Sequence, residues 1–92
     1  MDKRDAAICR GVWRRWADER PVSIRGLALD CGLPGSAVFF RLGQDITHYR
    51  RCNLVSEGWL LQDKGNGAHS TLRPGPRFVG VDRDGWPLEG AS

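Results

Sequence analysis

The run VSIRGLALDCGLPGS, Val22 to Ser36, leaves this chain less folding freedom than any other stretch. Ser23 is placed to cap a helix by accepting an N–H of its first turn. Ile24, Leu27, Ala28 and Cys31 then recur at the three- and four-residue spacing of an inward helical stripe. Gly32 stands where helices end in a left-handed residue, and Leu33 can fold back onto the helix just finished. Pro34, Gly35 and Ser36 offer a turn and a fresh N-cap for a further helix starting at Ala37.

Two short helices joined by a tight glycine turn form the layout of a helix-turn-helix, whose second helix reads a DNA groove. Its inward positions are Val38 and Leu42, which leaves Phe40 outside and Phe39 on the flank, partly buried. Beyond Leu42 two readings stand. Ile46, Tyr49 and Asn53 continue the stripe as one long helix, whereas Gly43 and Asp45 mark a break before a separate helix from Thr47 to Glu57. The break is preferred. Upstream, RDAAICRGVWRRWADER carries Ile8, Cys9, Val12, Trp13 and Trp16 in amphipathic rhythm, with Asp5 in its first turn and Pro21 at its end. Arg10, Arg14 and Arg15 fall on the wet side.

Downstream, EGWLLQD, KGNGAH and STLRP read as strand, glycine-rich turn and strand, with Trp59, Leu61 and Leu72 toward the core. RFVGVDRDGWPL adds a second hairpin around the turn DRDG, where Asp82 and Asp84 are turn formers. Glu89 to Ser92 are expected to fray. The fold class is therefore α+β: three helices, four if the chain breaks at Gly43, followed by a β-hairpin wing. Residues 1–81 form the winged helix-turn-helix domain, and 82–92 form a C-terminal turn and tail that adds an extra short strand.

At 92 residues and 40% apolar content the chain supports one domain and one modest core. No run reaches the ~18 apolar residues of a membrane span, and the start MDKRDAAICRGVW lacks the apolar core and cleavage site of a signal peptide. No membrane partner and a cytoplasmic location are the expectations. Cys9, Cys31 and Cys52, an odd set without a C-x-x-C pair, read as small apolar residues and not as a disulfide framework. His48 and Cys52 share helical spacing, but no second pair completes a metal site. No cofactor is expected. His48 and His69 lack a nucleophile at recognisable spacing and no phosphate-loop or nucleophile-elbow motif occurs, so the chain does not read as an enzyme. The net charge of +3 is modest, yet 12 of 14 basic residues are arginine, whose planar fork suits phosphates and guanine edges. Codon usage rich in Arg and Gly is the competing explanation.

RPVSIRGLALDCGLPGSAVFFRL resembles the DNA-binding domain of LexA-type repressors, with a similar opening, Gly-Leu turn and small-small-Val start to the reading helix. LVSEGWLLQDKGNGAHSTLRP is similar to the generic winged-helix ending. The resemblance runs from Val12 to Pro74; the chain carries several extra residues between Leu42 and Gly58 and no room for the Ser/Lys protease domain, so self-cleavage is not implied. The resemblance implies base contacts from Ser36, Ala37, Phe40, Arg41 and Gln44, and phosphate contacts from Ser23 and Arg25. It puts Lys64, Asn66 and His69 of the wing against the adjacent backbone or minor groove. The implied partner is double-stranded DNA. One such module buries little surface, so useful specificity generally requires a homodimer on two half-sites; if the chain dimerises, Trp13 and Trp16 of the first helix or the C-terminal VGVDRDGWPL are the candidate interfaces. The competing reading takes the Phe39/Phe40 pair as the anchor of a protein interface on a converted winged helix.

Overall fold

The computed structural model describes residues 3–20, 22–34, 38, 54–55, 57–63 and 71–90. Two helices, α1 (Lys3–Ala17) and α2 (Ile24–Cys31), precede four strands, β1 (Leu60–Asp63), β2 (Thr71–Pro74), β3 (Phe78–Val81) and β4 (Pro87–Glu89). β1 pairs antiparallel with β2, and β3 with β4. The described residues thus form a small α+β arrangement. Of the third helix expected from Ala37, only Val38 is described, and it is wholly buried, as an inward position requires. The stretch from Gly43 to Asn53, where one long helix or a break was open, lies outside the described residues, as does Leu42.

α1 buries the face that its sequence marks: Ile8, Cys9 and Val12 are inaccessible to solvent. Trp16, expected on that face, is instead half exposed. The helix also stops short of Pro21. Glu19 takes a left-handed φ of 57°, its N–H bonds to the Trp16 carbonyl at 3.1 Å, and the Arg20 N–H reaches the Arg15 carbonyl at 2.9 Å. This paired reversal ends the helix before proline is reached.

α2 follows its sequence closely. The Ser23 hydroxyl oxygen accepts the Gly26 N–H at 3.0 Å, and Ile24, Leu27 and Ala28 are buried while Cys31 is partly so. Gly32 is left-handed at φ 66°, a conformation that costs a side chain about 1–2 kcal/mol. Its N–H bonds to the Leu29 carbonyl at 3.3 Å, and the Leu33 N–H reaches the Ala28 carbonyl at 3.0 Å. Leu33 packs against the core, completing the apolar contact that accompanies this type of cap.

In the first strand pair, Leu60 lies opposite Pro74 and Gln62 opposite Leu72. Residues two apart share a face, so Leu60 and Leu72 both point inward and are buried, whereas Leu61 is more than a third exposed. Leu61, expected to face the core, is thus on the wrong parity, and Leu60 takes its place. Trp59 is buried from the bend that precedes β1. The turn between β1 and β2 lies outside the described residues.

Gly75 forms the corner between the two hairpins. Its N–H bonds to the Trp59 carbonyl at 2.8 Å, and a β-carbon on it would overlap the carbonyl oxygen of Gly58, so only glycine permits so close an approach. β3 and β4 close around Asp82, whose carboxylate accepts the N–H groups of Asp84 and Trp86, both at 2.9 Å. The tail expected to fray is held further than its composition indicates. Glu89 sits in β4 opposite Phe78, its carboxylate pairs with Arg77 at 2.7 Å, and the Gly90 N–H bonds to the Arg77 carbonyl at 2.8 Å. The boundary at 81/82 therefore falls inside one hairpin. Phe78 unites the layers, with its ring 5.1 Å from Trp13 of α1 and 6.1 Å from Trp59 at the entry to the first strand pair.

Candidate nucleic-acid interface

Two of the residues implied as DNA contacts, Ser23 and Arg25, are described: Ser23 is the N-cap of α2 and Arg25 sits in its first turn. The Ser23 hydroxyl uses its oxygen as acceptor in the cap, which leaves its O–H as a donor to an outside group. Arg25 is exposed and makes no ion pair among the described residues. One turn on, Leu29 presents the most exposed large apolar side chain of the described set, at 78%. Immediately before Ser23, the Val22 carbonyl accepts the Leu72 N–H at 2.8 Å, and Ser23 bridges to Thr71. The entry to α2 is thereby fixed to strand β2.

The remaining implied contacts, Ser36, Ala37, Phe40, Arg41 and Gln44 in the reading helix and Lys64, Asn66 and His69 on the wing, lie outside the described residues. So do Phe39 of the aromatic pair and His48 and Cys52 of the metal reading. Of the two surfaces named for self-association, Trp13 is taken up in the aromatic row, its ring 5.3 Å from Trp16 and 5.1 Å from Phe78. Trp16 stays half exposed, and the second hairpin exposes Val79, Trp86 and Leu88.

Neighbouring acids temper the positive charge. Arg15, expected on the wet side of α1, crosses to α2. Its Nε and Nη2 donate to the two oxygens of Asp30 at 2.5 and 3.0 Å, and Nη2 also reaches the Gly26 carbonyl at 3.5 Å. The hydrogen bond with Arg15 holds the Asp30 carboxyl below its usual range, and the same bond raises the guanidinium further above its own. Arg73 pairs with Asp63 across β1 and β2 at 3.5 Å, and Arg20 with Asp18 at 3.4 Å. Arg77 pairs with Glu89 while its guanidinium lies 5.0 Å over the Trp59 ring. Sequence reading missed Asp30 and Glu89 as partners because each lies far along the chain from its arginine; charge order along a strand pair is the one signal for Arg73 and Asp63.

Cys31 donates weakly to the Ala7 carbonyl at 3.6 Å, and burial pushes its thiol pKa up, which keeps it protonated and unreactive at neutral pH. Among the described residues no group of three or more His, Cys, Asp or Glu side chains is placed to hold a metal, and no helix is long and apolar enough to cross a membrane. No protein-family model, curated protein or solved structure matches this chain.

Proposed function

We propose that the chain is a sequence-specific double-stranded DNA-binding protein, a small transcription regulator of bacterial or phage type. In this reading it folds as a winged helix-turn-helix with the β1–β2 pair as its wing. The observation that carries the reading is the double anchoring of α2. Ser23 caps its start and the Gly32–Leu33 reversal its end, while the residues entering it are hydrogen-bonded to β2. A short helix, the turn after it and a hairpin held as one unit can present a reading helix and a wing to the same duplex. Ser23 and Arg25 then set the register on phosphates, and the segment from Ser36 to Gln44 contacts bases, with Arg41 taking guanine and Phe40 packing on a thymine methyl. One such module buries little surface, so two copies on two half-sites supply specificity.

A second reading, a winged helix whose reading face docks another protein through Phe39 and Phe40, is favoured by two observations. The described arginines 15, 20, 73 and 77 are each matched by a carboxylate, and the outward face of α2 carries exposed Leu29. Salt titration of binding to duplex DNA separates the readings. For the DNA reading, affinity falls steeply with salt, and Arg25→Ala lowers the log–log slope by about one, the loss of one phosphate contact. Arg41→Ala weakens the preferred sequence by about 1–3 kcal/mol more than random sequence. Negligible duplex binding at low salt, with Phe40→Ala abolishing capture of a partner protein, would move the assignment to the protein interface.

A further inference from the structure

Arginines from α1 and from the second hairpin converge on one open cleft. Arg10 and Arg14 stand one helical turn apart on α1, and Arg83 belongs to the β3–β4 turn; together with Trp13 they line a cleft of about 470 Å³, a volume suited to a small ligand. Asp82 and Asp84 line it too. The Asp82 carboxylate already accepts two backbone N–H groups of its own turn. Arg10 donates to the Gly85 carbonyl at 3.5 Å, which ties the turn to α1 and occupies one of its five N–H donors. Arg14 and Arg83 are exposed and make no ion pair among the described residues. A second cleft of about 420 Å³ shares Arg10 and Arg14 and is lined also by Arg20 and Asp30. Neither cleft includes Ser23 or Arg25.

We propose that the cleft between α1 and the β3–β4 turn binds a phosphate group carried on a small molecule. Arg14 and Arg83 approach the oxyanion from two separate elements, and Arg10 braces the turn that positions Arg83. Guanidinium forks match the several oxygens of a phosphate better than the two of a carboxylate, and the three guanidiniums of the lining outnumber its two carboxylates, Asp82 and Asp84. Trp13 supplies ring surface for the organic portion of the ligand. The inference stands on α1 and the second hairpin alone and does not depend on the DNA reading.

The test is a titration of the isotopically labelled full chain with inorganic phosphate and then pyrophosphate, followed by amide chemical shifts against sodium chloride at matched ionic strength. Saturable shifts confined to residues 10–14 and 82–86 are expected, with the midpoint raised about tenfold in R14A and in R83A, the loss of one charge-assisted hydrogen bond. Both positions are exposed, and an unchanged spectrum elsewhere verifies that the variants fold. Shifts that follow ionic strength alone, or midpoints that neither variant moves, would overturn the proposal. A short duplex forms the other arm. If it perturbs the same amides at lower concentration and R83A weakens duplex and phosphate alike, the phosphate is that of a nucleic-acid backbone and the small-molecule site is rejected. The DNA reading is tested separately at Arg25 and Arg41, so either can fail alone.

Discussion

Glu19 holds a left-handed φ of 57° without the glycine that such a position favours. A side chain there costs about 1–2 kcal/mol, and part of that is returned by the lower entropy of the unfolded chain. Glu19→Gly is therefore expected to stabilise the protein by about 1 kcal/mol, read as a rise of roughly 4–8 °C in Tm for a domain of this size. An unchanged or lowered Tm would show that the reversal after α1 carries no strain. Residues that act on their own backbone were legible in this way. Ser23 as a cap, Gly32 and Leu33 as a reversal and Asp82 as a turn former each use a side chain or a φ within a few residues, and each is found as its sequence reads. Glu19 escaped because the left-handed turn falls on a glutamate, where the local signal would be a glycine.

Between elements, Arg15 and Asp30 join α1 to α2 through two hydrogen bonds, at the rim of the core that the two helices share. Asp30 has its pKa depressed in the folded state, so the stability it contributes is present above the ordinary carboxylate pKa and is lost as pH falls through the lower, folded value. The carboxylate is 42% exposed, and solvent screening limits the contribution to roughly 0.2–1 kcal/mol. Asp30→Asn should lower Tm near neutral pH, with the difference from wild type closing as pH drops below 3.8. A difference that is constant with pH would mean that the charge is not what links the helices. Such a bond has no signature along the chain, since Arg15 looks like any solvated arginine on α1. Strand parity was equally unreadable: three apolar residues in a row, Trp59, Leu60 and Leu61, leave the inward face open until pairing with β2 puts Leu60 beside Leu72.

For the molecule as a whole, Phe78 is the point at which α1, the first strand pair and the second hairpin meet. Phe78→Ala removes that ring from a core that is small to begin with, a loss of about 3–5 kcal/mol against a total stability of about 5–15 kcal/mol for a domain. Equilibrium denaturation should show a single transition moved to much lower denaturant; retention of most of the stability would mean that the second hairpin is an appendage. The sequence pattern foresaw both strand pairs but read Glu89 and Gly90 as part of a frayed tail, because they gain their partners from Arg77 across the hairpin. The DNA reading is carried by the anchoring of α2 between its Ser23 cap, the Gly32–Leu33 reversal and strand β2. Selection of bound duplexes from a random-sequence pool at moderate salt tests it most directly. Enrichment of one motif, as two related half-sites about one helical turn apart, with the enrichment lost in Arg41→Ala, is the result the proposed function predicts; a pool that stays random while wild type and Arg41→Ala retain equal DNA would contradict it.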